Sequence, residues 1–158
     1  MKKTLLFLAL CVTLTASANE VTGTVTKVYD GDTATIAVNG AAIKCRFKGI
    51  DAPELKQEYG LESRRFLADL ILNKEVTVRI HGTDRYQRSV CEVFLKSASV
   101  NKLMVLSGRA WWYVAYDKKD FVMRNAEQAA KDQKLGLWSN ENSIAPWDWR
   151  KQSKSKVK

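Results

Sequence analysis

The order of apolar and polar positions changes period several times along this chain. Val21, Val25 and Val28 alternate loosely among Thr and Gly, so Val21 to Tyr29 predicts a β-strand. Asp30-Gly31-Asp32 reads as a turn, and Thr33 to Val38 as a second strand. Asn39-Gly40 is the strongest short hairpin signal in the chain, since both residues tolerate the positive φ that a tight turn demands. Ala42 to Gly49 predicts a third strand, after which Asp51-Ala52-Pro53-Glu54 breaks the pattern. Tyr59 to Leu72 then shifts to helical period, with Leu61, Phe66, Leu67, Leu70 and Ile71 on an apolar side. Glu75 to Ile80 and Val90 to Leu95 return to strand, separated by a polar, basic loop from His81 to Ser89. Val100 to Leu106 predicts a short helix stopped at Gly108. Asp120 to Lys134 predicts another, with Phe121, Ala126, Ala129 and Ala130 roughly in phase and Gly136 beyond it. Five strands with a helix between the third and fourth predict a mainly β, α+β fold. Its form is a five-stranded OB-type barrel with about three packed helices.

The ends of the chain read differently. Lys2 and Lys3 precede an apolar run, Leu5 to Leu14, broken only by Thr13, and Ala16-Ser17-Ala18 follows. A positive start, a short apolar run and a small-x-small site predict a signal peptide over residues 1–18, hence export to the periplasm or the medium. The run is shorter than a bilayer-spanning helix needs, and no stable membrane association is expected after cleavage. Residues 19–149 then form one domain. Arg150 to Lys158 holds five basic residues and reads as a disordered basic tail. Cys11 leaves with the leader, so Cys45 and Cys91 remain as an even pair in an oxidising compartment. Both are expected to point into the core and lie close together, either bridged or as two buried thiols. The absence of CxxC and a single histidine, His81, argue against structural zinc. Trp111, Trp112, Trp138, Trp147 and Trp149 are expected to anchor the helices and C-terminal segment onto the barrel.

Composition narrows the partner. The 158 residues include 26 Lys+Arg and 17 Asp+Glu, for a formal charge of +9. Removal of residues 1–18 takes two lysines and no acid, lowering it to +7. A hydrophobic fraction of 46% and only 2 Pro exclude a disordered or collagen-like chain. The excess of positive charge points to an anionic partner, nucleic acid or an acidic membrane surface.

Within this basic chain Asp30, Asp32, Asp51 and Glu54 fall in two short turn-like segments. Oxygen-only clusters suit a hard cation such as Ca²⁺ or Mg²⁺, although no EF-hand loop follows Asp30. Arg46 leads into the second segment, and Arg85 and Arg88 lie in the polar loop. Arginines beside metal-binding acids are the working parts of a phosphodiester-cleaving site: the cation offsets phosphate charge, guanidinium forks hold its oxygens, and a spare carboxylate takes a proton from water.

Val28-Tyr29-Asp30-Gly31-Asp32-Thr33, Arg46-Phe47-Lys48-Gly49-Ile50-Asp51-Ala52-Pro53-Glu54 and Asp84-Arg85-Tyr86-Gln87-Arg88 resemble the three motif blocks of the staphylococcal nuclease (thermonuclease) family. The resemblance runs from about Glu20 to Trp149 and includes Gly136-Leu137-Trp138. It implies an OB-fold, calcium-dependent endonuclease acting on DNA and RNA with little sequence preference, as a monomer. Asp32 and Asp51 match calcium-ligating carboxylates, and Ala52 would ligate through its backbone carbonyl where the family often has Thr. Glu54 matches the proposed general base, Arg46 and Arg88 the phosphate-binding arginines, and Asp30 an acid near the metal. Arg85, Tyr86 and Tyr116 are the substrate-binding candidates, the tyrosines as stacking surfaces. The rival reading is a noncatalytic OB-fold nucleic-acid-binding module, and a lesser one is an envelope protein using its basic tail on anionic lipid. The joint presence of Asp32, Arg46, Asp51, Glu54 and Arg88 favours the nuclease, since a binding module needs neither the metal carboxylates nor the base.

Overall fold

The computed structural model describes residues 20–155. The expected signal peptide, residues 1–18, and the last three residues of the basic tail lie outside them. Five long strands form a closed barrel: β1 (Glu20–Val28), β2 (Thr33–Val38), β3 (Ala41–Phe47), β5 (Glu75–Thr83) and β6 (Ser89–Leu95). Antiparallel pairing runs in the order β3-β2-β1-β5-β6, and a parallel pairing of β3 with β6 closes the ring. The Asn39-Gly40 hairpin forms as its sequence demands. Both residues have positive φ (49° and 83°), and Val38 faces Ala41 across the turn. Alternate strand residues, including Val25, Ile36, Phe47, Val78 and Val93, fill the interior.

Helix α1 (Gly60–Ile71) buries Gly60, Ser63, Leu67 and Ile71, a stripe at helical spacing. Helices α2 (Val100–Leu106) and α3 (Phe121–Asp132) pack together after the barrel. Their N-termini are satisfied by side chains: Ser99 accepts from the Lys102 N–H and Asp120 from that of Met123. A short 3₁₀ turn at Gly136–Ser139 follows.

Four features depart from the sequence reading. Two-residue strands β4 (Ile50–Asp51) and β8 (Trp111–Trp112) pair with one another, and β7 (Ala98–Ser99) turns back to pair antiparallel with the end of β6; all are too short for a periodic signal. Strand β5 continues to Thr83, which shrinks the expected 81–89 loop to residues 84–88. His81 therefore sits on a strand, its Nε2 3.1 Å from Glu92. Finally, Arg150 to Ser155 are not an irregular tail. They belong to a fourth helix, α4 (Pro146–Ser155). Pro146 at its first position and Asp148 in its first turn are favourable helix-start residues.

Cys45 and Cys91 are fully buried, and the parallel β3–β6 pairing that sets Cys91 opposite Phe47 brings the two sulfurs together. Their Cα atoms are 5.7 Å apart, within the range of a disulfide. We expect a bridge. Mass spectrometry of non-reduced protein should show no free thiol, and the paired Cys45→Ala/Cys91→Ala variant should lose about 2–4 kcal/mol of stability in urea titration. Two free thiols in protein folded under oxidising conditions would refute this.

Among the described residues no helix is long and apolar enough to cross a membrane.

Candidate active site

The β1–β2 turn, the segment from β4 to Glu54, the β5–β6 loop and α4 meet around one cleft of about 460 Å³. The first turn is built by Asp30, whose Oδ1 accepts the Asp32 N–H at 3.0 Å. Gly31 is required by proximity, because a Cβ there would run into Ser63 Oγ of α1 and lie 2.7 Å from the Ala52 Cβ. That close approach sets the two acidic segments side by side.

Asp32 and Asp51 are only 5% and 3% exposed. Asp32 Oδ2 accepts the Ala52 N–H at 2.7 Å, and Oδ1 accepts the Thr33 hydroxyl at 3.0 Å. Arg46 faces Thr33 across the β2–β3 pair and so reaches both acids. Its Nη2 lies 2.9 Å from Asp51 Oδ1 and 3.2 Å from Asp32 Oδ2. Its Nη1 donates to the carbonyls of Phe47 and Ile50 at 2.7 and 2.8 Å, which pins the guanidinium in place. Asp51 is oriented by the β4–β8 pairing, opposite Trp111.

The acids feel their burial and one another. Desolvation, followed by the charge of Asp32, pushes the Asp30 carboxyl up to about 7. Burial also raises Asp51, with Asp32 adding to it and the two arginines Arg46 and Arg150 opposing. Two buried carboxylates tied to the same guanidinium nitrogen, with Ala52 bonded to one of them, form a hard-oxygen donor set. Such a set suits a hard divalent cation, which would compete there with the guanidiniums that now balance its charge. Among the described residues no three His, Cys, Asp or Glu side chains stand close enough to hold a metal unaided. A cation here would therefore need backbone oxygen or water besides Asp32 and Asp51.

The 84–88 loop contributes another part of the lining. Asp84 Oδ1 accepts the backbone N–H groups of Tyr86 and Arg88 at 2.8 and 3.0 Å. Its Oδ2 takes Arg88 Nε at 2.8 Å and Nη2 at 2.7 Å. Partial burial acts to raise the Asp84 carboxyl, but these bonds outweigh it and hold the group below its ordinary range. Arg88 is thus aimed by its own loop. Tyr86 is 63% exposed, and its ring is flanked by the Arg85 and Arg88 guanidiniums at 4.9 and 5.4 Å from its centre.

Asp30, Asp32, Arg46, Asp51, Ala52, Glu54, Arg85, Tyr86 and Arg88 all line this cleft, as the motif blocks lead one to expect. Tyr116 does not. It lies beside Lys48 and Trp112 in a separate surface depression, with Lys48 Nζ 5.9 Å from its ring centre. The aromatic residue that reaches the cleft from this stretch is Tyr113, whose ring packs against Trp147 at 5.6 Å. Arg46, expected on phosphate, spends both of its Nη groups on two carboxylates and two carbonyls.

The largest omission of the sequence reading is α4. Trp147, Arg150, Lys151 and Lys154 line the cleft. Arg150 Nη2 meets Asp51 Oδ2 at 2.7 Å, and Nη1 meets Glu54 Oε1 at 2.8 Å and Asp51 Oδ1 at 3.3 Å. These bonds, to Asp51 above all, hold the Arg150 guanidinium well above arginine's ordinary proton affinity. The available signal was Pro146 opening a helix and Asp148 in its first turn.

An OB-type barrel that gathers buried acids and aimed arginines in one cleft has donors suited to phosphate esters. Comparison with known proteins specifies the class. Residues 44–140 match the family model described as staphylococcal nuclease homologue. The chain is 39% identical over 143 residues to the micrococcal nuclease of Shigella flexneri, covering 84% of this chain and 82% of that one. It is 38% identical over 152 residues to a Haemophilus influenzae protein named as an endonuclease, covering 96% and 85% of the two chains. Protein ParB of Escherichia coli is 33% identical over 159 residues, covering 94% and 90%. The chain belongs to the staphylococcal nuclease family, a family of nucleic-acid-cleaving hydrolases.

Proposed function

We propose that this protein is an exported, calcium-dependent endonuclease that hydrolyses phosphodiester bonds of DNA and RNA with little sequence preference, working as a monomer. The observation that carries this reading is the convergence of Asp32, Arg46, Asp51, Glu54 and Arg88 on one cleft. Asp32, Asp51 and the Ala52 carbonyl would hold Ca²⁺, with Asp30 behind them. When bound, the ion would supply charge compensation for the phosphate and its attacking oxygen.

Glu54, in the wall of the cleft, orients a water and accepts its proton. Arg88, preset by Asp84, donates to the phosphate oxygens as charge builds on the pentacoordinate phosphorus. Arg46 assists from the metal side, its position fixed by the Phe47 and Ile50 carbonyls. One of these arginines stabilises the departing 5′ oxygen. Arg85 and Lys154 attract the polymer through its backbone charge, and Tyr86 offers an exposed face for stacking any base. A binding module would have no use for a carboxylate such as Glu54 in the cleft, because it would repel phosphate.

Purified protein in a zymogram containing duplex DNA, single-stranded DNA or RNA should clear each substrate with Ca²⁺ and none with chelator. No clearing at any Ca²⁺ concentration would sink the proposal and leave the binding-module reading.

A further inference from the structure

Every carboxylate oxygen of Asp32 and Asp51 already accepts a hydrogen bond or ion pair, so a cation that ligates either acid must displace or share a donor. The donors differ in how firmly they are held. Thr33 and the Ala52 N–H belong to buried residues. Arg46 is anchored from behind by two carbonyls. Arg150 alone among these donors comes from the helix nearest the C-terminus, has a side chain 42% exposed, and reaches in from the solvent side. Its two Nη atoms span Asp51 and Glu54, the pair assigned above to the metal and to the attacking water.

We propose that Arg150 is a resident cation of the carboxylate cluster, which holds Asp51 and Glu54 until Ca²⁺ takes Asp51. The C-terminal helix thereby competes with the metal. This rests on the calcium reading of the cleft. A divalent cation on Asp51 and a guanidinium on the same carboxylate repel one another at a few ångströms in a partly desolvated site. Metal entry therefore drives Arg150 off Asp51 and releases Glu54 from its ion pair. The exchange couples metal affinity to the seating of α4: whatever loosens the helix strengthens metal binding, and whatever fastens it weakens metal binding. The freed guanidinium stays in the cleft that Lys151, Lys154 and Arg88 also line, where an incoming phosphate is its natural new partner.

The test is calorimetric titration of full-length protein with Ca²⁺ in the absence of nucleic acid. Arg150→Ala should bind Ca²⁺ about tenfold more tightly than the parent, the range expected when a charge-assisted bond no longer has to be broken. Arg150→Lys, which keeps a positive charge but not the two-pronged contact, should fall between them. Hydrogen exchange of the 146–155 amides should quicken when the parent is saturated with Ca²⁺. Equal or weaker Ca²⁺ binding by Arg150→Ala overturns the proposal, and Arg150→Lys decides it should the alanine variant fail to fold. Asp51→Asn distinguishes loss of the metal site from loss of the competition. If the parent binds Ca²⁺ and Asp51→Asn does not, the metal reading stands whatever Arg150 does. If none of the proteins binds Ca²⁺, the metal reading fails and the competition with it.

Discussion

Glu54→Gln should lower the turnover number on DNA by about 10²–10⁴-fold, the usual contribution of a positioned general base, while leaving DNA affinity within a few-fold of the parent. The substitution removes proton affinity and one negative charge but preserves shape. Glu54 is half-exposed on the loop that follows β4, so little packing depends on it. In the metal-free protein the glutamine carbonyl can still accept from Arg150 Nη1, which lies 2.8 Å from Glu54 Oε1, so the seating of α4 there should survive. Affinity measured by fluorescence anisotropy with Ca²⁺ present, alongside single-turnover cleavage, separates the two effects. Equal loss of both would mean that Glu54 shapes the cleft rather than handles a proton.

Arg88→Lys should be nearly as damaging as loss of the side chain, at about 10²–10³-fold in turnover, or roughly 3–4 kcal/mol of transition-state stabilisation. Lysine keeps the charge but cannot reproduce the fork that Asp84 holds. In the parent, Asp84 Oδ2 receives both Nε and Nη2 of Arg88, so the remaining guanidinium donors are aimed before substrate arrives. A lysine ammonium would pair with Asp84 as a flexible point charge and turn away from the cleft. The conservative replacement would thus test geometry rather than charge. Activity retained to within threefold would show that Arg88 acts only as a general attraction for the backbone. In that case the rate should also fall steeply with salt.

Much of this site is legible in the primary structure because its parts are local. Asp30-Gly31-Asp32 closes on itself through one Asx hydrogen bond, and the Asp84 to Arg88 loop closes through four contacts to a single carboxylate. Each arrangement follows from residue types a few positions apart, so the motif carries its own geometry. The long strands and α1 to α3 are likewise written in apolar period and in turn and cap residues such as Asn39-Gly40 and Asp120, although Leu61 of α1 and Phe121 of α3, both expected on the apolar side, are exposed and Met123 is buried instead. The short strands β4 and β8 are different. Two residues have no period, and Asp51 acquires its orientation from Trp111, which lies far along the chain.

Tyr113 and Tyr116 show the same limit. They are three positions apart in an irregular stretch, and only packing against Trp147 brings Tyr113, not Tyr116, into the cleft. Helix α4 is the extreme case. Its charged residues read as a solvated tail because nothing local tells a lysine-rich helix where to lie. Its place depends on the buried Pro146, on Trp147 against Tyr113, and on the attraction of Arg150 to acids about a hundred positions earlier.

By itself, then, the sequence determined the barrel, the acids and arginines that could do chemistry, and the sign of the partner's charge. Those properties reside in residue type and short-range spacing. Only the tertiary structure decided that Arg46 would be committed to two aspartates and that Arg150 would sit on Asp51 and Glu54. Buried carboxylates attract whichever cationic side chain the fold delivers, and delivery depends on contacts between segments remote in sequence. The positive charge of the chain is thereby split: part of it stays exposed, and part is turned inward to pair with the acids of the candidate cleft.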